Sequence, residues 1–163
     1  MTVNLELTNS PLVSLLDDED YYRLCFRSWR LIKHHGGGFY VACDVRYSDD
    51  YSEKLLLHRE VLRIYDSRCV DHINRNGLDN RRENLRTASQ QQNKANSIGW
   101  RKETSSQYKG VYFESSRGLW RAKIMYDGKS IHLGRYKTEI EAACAYDKKA
   151  LELFGEFARL NFT

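Results

Sequence analysis

The sequence predicts an α+β chain: an N-terminal α+β unit that ends in a strand–loop–strand–helix, then a three-stranded antiparallel sheet packed on one helix. Three observations predict it. Val70-Asp71-His72 closes an apolar run, a polar loop with a tight turn at Asn76-Gly77 follows, and Leu85-Arg86-Thr87-Ala88 makes a second strand before a helix opens at Ser89. Asp127-Gly128 joins two alternating stretches, a strong hairpin signal. Behind a Thr138–Glu141 capping box, Ala143, Tyr146, Ala150, Leu153 and Phe154 recur at helical spacing.

A length of 163 residues suits one domain or two small ones, and 41% hydrophobic residues allow a small core in each. No apolar run approaches the ~20 residues of a membrane span, and no basic-then-apolar leader opens the chain. An intracellular protein of the host cytoplasm, with no membrane partner, is expected. The net charge of +4 is uneven. Residues 1–70 carry 9 Lys+Arg against 11 Asp+Glu, and residues 71–163 carry 17 against 11. The basic excess lies where phosphate contact is expected. Cys25, Cys43, Cys69 and Cys144 form no C-x-x-C pair, which argues against a zinc site or disulfide framework and for small buried hydrophobes.

In chain order, residues 1–66 form a small α+β unit. Asp17 to Asp20 supply a cap and first-turn charge for a helix through Tyr21, Leu24 and Cys25. Gly36-Gly37-Gly38 is a flexible turn, with His34 and His35 beside it as exposed loop residues. Strands are expected at Phe39–Cys43 and Leu55–Leu57, and a short helix from His58 to Leu62. His58 is expected to be structural. After the hairpin, Ser89 and Gln92 complete a capping box, and Asn93 falls one turn into that helix.

The hairpin's side chains suit phosphodiester chemistry. Magnesium takes one or two protein oxygens and keeps most of its waters, and Asp71 and Asn93 supply such oxygens. His72 follows Asp71 on a strand, so it points to the other face, where a neutral imidazole takes a proton from water. Arg75, Arg81, Arg82 and Arg86 surround the motif, and the planar guanidinium fork suits phosphate.

Asp71-His72, Asp79-Asn80, Glu83-Asn84-Leu85-Arg86 and Asn93 resemble the HNH endonucleases, particularly the homing branch with the ββα-metal fold. The resemblance implies His72 as general base, Asp71 and Asn93 as metal ligands, and Asn84 as the central asparagine that ties the loop by side-chain to backbone hydrogen bonds. A final asparagine stands where many relatives have histidine, so the motif is His-Asn-Asn. Its all-oxygen ligand set implies Mg2+ or Mn2+ over zinc.

Residues 97–107 are polar and flexible and are expected to be a linker, with the boundaries at 1–98, 99–107 and 108–163 and the ββα core at 67–98. In the last part, strands are expected at Lys109–Glu114, Leu119–Tyr126 and Lys129–Arg135. Trp120, Ala122, Ile124 and Tyr126 share one face of the second, and Arg121, Lys123 and Met125 the other; Ile131 and Leu133 oppose Ser130 and His132 on the third. One face packs on the helix that Gly155 ends, and a basic face remains of a size to fit a DNA groove.

Tyr108-Lys109-Gly110-Val111, Trp120 to Ile124, His132 to Tyr136, Ala142 to Asp147 and Leu160-Asn161-Phe162 resemble the plant ethylene-response-factor (AP2) type of DNA-binding domain. The family's DNA-contacting positions fall on Lys109, Gly110, Tyr112, Glu114, Lys123, Met125, Ser130, His132 and Tyr146, to which Arg121 is added from the basic face. Tyr146 also lies on the packing stripe. Tyr112, Glu114, Met125 and Ser130 stand where plant relatives read DNA with arginines, so the plant target does not carry over. The expected protein is a metal-dependent homing-type endonuclease acting on double-stranded DNA, of a phage or another mobile element, as a nicking monomer or a homodimer. The alternatives are a non-catalytic DNA-binding regulator and an enzyme that takes RNA.

Overall fold

A computed structural model describes residues 1–33, 38–97 and 105–162. His34, His35, Gly36-Gly37 and most of the expected linker lie outside the described residues. Among the described residues no helix is long and apolar enough to cross a membrane. The chain forms two compact units, 1–88 and 89–163, so the division falls ten residues before the expected boundary. The reason is the helix after the hairpin, whose last carbonyls bond within the C-terminal unit: Arg159 N donates to Ala95 O at 3.4 Å, and the Lys109 ammonium donates to Ser97 O at 2.8 Å and to Ala95 O.

The first unit opens with a hairpin that local sequence had not marked, β1 (Thr2–Leu7) and β2 (Ser10–Asp17). Leu5 and Leu7 enter the core while Glu6 between them stays exposed, the period of two of a half-buried strand. Helix α1 (Asp18–Leu24) carries three acids in its first turn, and the Trp29 indole donates to the terminal Leu24 carbonyl at 2.8 Å. Strands β3 (Arg30–Lys33), β4 (Phe39–Arg46) and β5 (Ser52–Leu56) form one antiparallel sheet with β4 central, followed by α2 (Leu57–Leu62). Leu16, Leu24, Trp29, Val41, Leu57, Val61, Val70 and Leu85 make the core.

The expected hairpin is β6 (Cys69–His72) and β7 (Leu85–Ala88), with Asp71 opposite Arg86 and His72 opposite Leu85. Residues 73–84 connect them and end in a single 3-10 turn at Arg82–Asn84. Strand β2 holds this connection from the side: Leu15 N donates to Leu78 O at 2.8 Å and Asn80 N to Leu15 O at 2.9 Å.

The second unit begins with α3 (Gln90–Asn96), where both hydrogen bonds of the Ser89–Gln92 capping box form. Strands β8 (Val111–Glu114), β9 (Leu119–Tyr126) and β10 (Lys129–Tyr136) pair in that order, and α4 (Glu139–Phe154) lies on one face behind its Thr138–Glu141 box. Val111, Ala122, Ala142 and Ala143, then Ile124, Tyr146 and Ala150, fill the layer between sheet and helix. The alternation on β10 runs as expected to His132, where the register shifts beside Gly134. Of the four cysteines expected to be buried, Cys43 is; Cys25 and Cys69 are half-buried, and Cys144 is exposed on α4, because Ala143 and Tyr146 occupy the inward face.

Candidate active site and nucleic-acid interface

The His72 ring is 4% exposed, which is more enclosed than an imidazole expected to lie open to water. The physical reason is an aromatic wall: Tyr40 stacks at 5.8 Å between centroids and His58 meets it edge-on at 5.2 Å. His58, itself buried, is part of that wall. Burial pushes the His72 pKa below the ordinary histidine value, against smaller upward effects from Asn80, Asp71 and Asp79. His72 Nε2 lies 3.2 Å from Asn80 Oδ1. Asn80 is fully buried, and its Nδ2 donates to Ser14 Oγ at 2.8 Å and to Gly77 O at 3.1 Å.

Asp71 is 5% exposed, and its Oδ2 accepts from Arg86 Nε at 3.0 Å. The two are direct partners across β6 and β7, so the sheet register itself makes the pair. Asn84 spans the connection: its Oδ1 accepts from Asn74 N at 2.9 Å and its Nδ2 donates to Asp79 O at 2.7 Å. Asn93 lies on α3 in the second unit, half-buried.

The arginines expected at phosphate divide. Arg86 holds Asp71. Arg81 makes a two-point pair with Asp79, at 2.8 Å for each contact. Arg82 reaches the buried Asp20 on α1 at 2.7 and 2.9 Å and the Val61 carbonyl at 3.0 Å. These three forks engage carboxylates of the same unit, because hydrogen-bonded charges inside a folded unit cost less than unpaired ones. Arg75 is exposed and sits in the left-handed region at φ 66°.

Asp79 supports a stability prediction. Its hydrogen bonds from Arg81 hold its carboxyl below the ordinary aspartate value, against a smaller upward effect of burial. A depressed folded-state pKa stabilises the fold above the unfolded value of about 3.9 and loses that effect as pH falls through the folded value. Asp79→Asn is expected to lower stability by about 1–2 kcal/mol near pH 7. Denaturant midpoints of the two proteins should converge as pH drops below about 4.

On the second unit, Tyr112, Arg121, Lys123, Met125, Ser130 and His132 lie on the sheet face opposite α4. Arg121 and Lys123 stand 5.6 and 5.0 Å from the Tyr112 ring centre, and Arg121 Nε donates to His132 Nδ1 at 3.0 Å. Glu114 accepts from Arg135 at 2.6 Å and pairs with Arg117 at 3.3 Å, which holds its carboxyl below the ordinary range. Lys109 is placed differently from expectation, since its ammonium binds the carbonyls that end α3. Gly110 lies under the Tyr146 ring, and Tyr146 is core, its phenol pushed up to about 12 by burial. Sequence reasoning placed Asn80 in the motif without a role and missed Ser14, since nothing local in Val13-Ser14-Leu15 signals a partner 66 residues away.

Comparisons with known proteins match two separate segments of the chain. A family model described as HNH endonuclease matches residues 63–95, and one described as AP2 domain matches residues 106–156. An uncharacterised HNH endonuclease, L560, of Acanthamoeba polyphaga mimivirus is 39% identical over 114 residues, which cover 66% of this chain and 58% of that one. Protein 3.8 of Escherichia phage T7 is 32% identical over 92 residues, covering 56% of this chain and 74% of that one. APETALA2-like protein 2 of Oryza sativa subsp. indica is 43% identical over 58 residues, 36% of this chain and 13% of that one. The chain thus spans little more than half of the mimivirus relative and a small part of the rice one.

Proposed function

Because the chain belongs to the HNH endonuclease family and joins that motif to an AP2 domain, we propose that it is a metal-dependent, homing-type endonuclease that hydrolyses phosphodiester bonds in duplex DNA inside a host cell. Residues 1–98 act as the nuclease domain, and residues 108–163 grip DNA. The observation that carries this reading is the neighbouring pair on β6: Asp71 and His72 are adjacent, on opposite faces, and the imidazole is kept neutral by burial.

The donor chemistry fits a hard divalent ion. By donor type, the carboxylate of Asp71 and the amide oxygen of Asn93 are the oxygens that the motif offers to Mg2+ or Mn2+, which take water and phosphate oxygens as their remaining ligands. When bound, such an ion stabilises the charge that develops on the departing 3′ oxygen. The rest falls to the chain. His72 takes the proton of the attacking water. Asn84 fixes the connection that carries Asp79 and Asn80, and Arg86 orients Asp71. Arg75 meets phosphate beside the hairpin. Arg121, Lys123 and His132 meet the backbone from the sheet, and Tyr112, Met125 and Ser130 face base edges.

The test is direct. Supercoiled plasmid with the full chain and Mg2+ or Mn2+ is expected to become nicked or linear, and a chelator to stop it. Nicked circles alone mean one strand cut per encounter, and linear product at the outset means paired active sites. A protein that binds duplex DNA yet fails to cut it with every divalent ion tried is the non-catalytic regulator instead.

A further inference from the structure

We infer that Asn80, anchored by Ser14, is a positioning residue that fixes the tautomer and orientation of the His72 imidazole, so that Nδ1 carries the lone pair that takes the proton from water. The inference rests on His72 being the base. It follows from counting protons along one buried chain of hydrogen bonds. Ser14 has a single hydroxyl proton, and its Oγ donates it to Leu78 O at 3.0 Å. A carbonyl only accepts, so that proton is committed, and Ser14 Oγ is left to accept at its contact with Asn80, 2.8 Å away. Gly77 O, 3.1 Å from the same amide, also only accepts.

Both neighbours therefore require the amide nitrogen of Asn80 on their side. A flipped amide would set Oδ1 against two acceptors inside a site with no exposure at Asn80 or Ser14, where an unmade hydrogen bond is costly. Asn80 Oδ1 must then face His72, and an oxygen with no proton demands a donor. At 3.2 Å that donor is Nε2–H. In a neutral imidazole one nitrogen carries the proton and the other the lone pair, so the lone pair lies on Nδ1. The backbone on both sides of the amide is fixed as well: Asn80 N donates to Leu15 O and Leu15 N donates to Leu78 O, so strand β2 locks the anchor and the loop together.

The experiment uses the full chain with 15N-labelled histidine and no metal, which reads the tautomer independently of cleavage. The His72 Nε2 signal is expected to be of the proton-bearing type, with a slowly exchanging N–H, and Nδ1 of the lone-pair type. Asn80→Ala is expected to speed that N–H exchange, and to lower kcat for plasmid cleavage by about 10-fold or more with KM unchanged. Asn80→Asp keeps an oxygen facing Nε2 but sets its other oxygen against Ser14 Oγ and Gly77 O, so it is expected to lower the unfolding midpoint while the folded protein retains the slow N–H. A proton on Nδ1 in the wild type overturns the inference, whether or not the variants fold. So does a folded Asn80→Ala protein that cuts at the wild-type rate while His72→Ala does not. If the wild type cuts nothing with any divalent ion, the nuclease reading fails instead, while the NMR result still decides the tautomer.

Discussion

His72→Ala is expected to lower metal-dependent plasmid cleavage by about 10²–10⁴-fold, the span that a positioned general base contributes, while DNA affinity changes little. The two effects separate because they belong to different parts of the chain. The imidazole sits on β6 at 4% exposure, and the basic sheet face with Arg121, Lys123 and His132 is in the other unit. Burial disfavours the imidazolium, so near neutral pH the ring is in the form that accepts a proton. The substitution also removes a ring that packs between Tyr40 and His58, so some stability is lost with it. Circular dichroism and a DNA-binding isotherm on the same preparation keep that loss apart from lost chemistry. A folded His72→Ala protein that binds DNA and cuts at the wild-type rate would put the base elsewhere and remove the proposed role of the β6 pair.

How much of this was legible in the sequence depended on how far each partner lay along the chain. The β7 strand and α3 came out where expected because alternation and the Ser89–Gln92 capping box act over a few residues. The same holds for β9 and β10 around Asp127-Gly128 and for α4 behind Thr138. The β1–β2 hairpin was missed although Leu5 and Leu7 alternate with Glu6, since Ser10-Pro11 interrupts the pattern at the start of β2. The arginines were harder still. Sequence displays a cluster of positive charge around the motif, but not that Arg82 meets an aspartate 62 positions earlier or that Arg86 faces Asp71 across a ladder. Charge composition is a local property, whereas an ion pair is a property of the fold. Asn80 illustrates the same limit: asparagine in a loop has an ordinary explanation as a turn former, and only the buried Ser14 contact distinguishes it.

Gly110→Ala separates two readings of one residue. If Gly110 serves mainly as a close-approach contact to DNA, the substitution weakens binding and leaves folding intact. The structure instead makes it a packing position. Its φ is 78°, and a Cβ there would stand 2.1 Å from the Tyr146 ring and 2.7 Å from Lys123 O. The left-handed backbone costs an alanine about 1–2 kcal/mol. Crowding into a filled core adds typically about 1–3 kcal/mol. Tyr146 has no easy retreat, because it is 4% exposed and packs with Ile124 and Ala150 between sheet and helix. Lys123 O is backbone and accepts no flexible adjustment, since Lys123 N already bonds Gly110 O at 2.9 Å. Gly110→Ala is therefore expected to destabilise the C-terminal unit by roughly 2–5 kcal/mol, which lowers its melting temperature by about 10 °C or more at that size. Thermal unfolding followed by tyrosine and tryptophan fluorescence checks it, with DNA binding measured well below the transition. An unchanged melting temperature with lost affinity would return Gly110 to the DNA-contacting surface and remove the packing account of Tyr146.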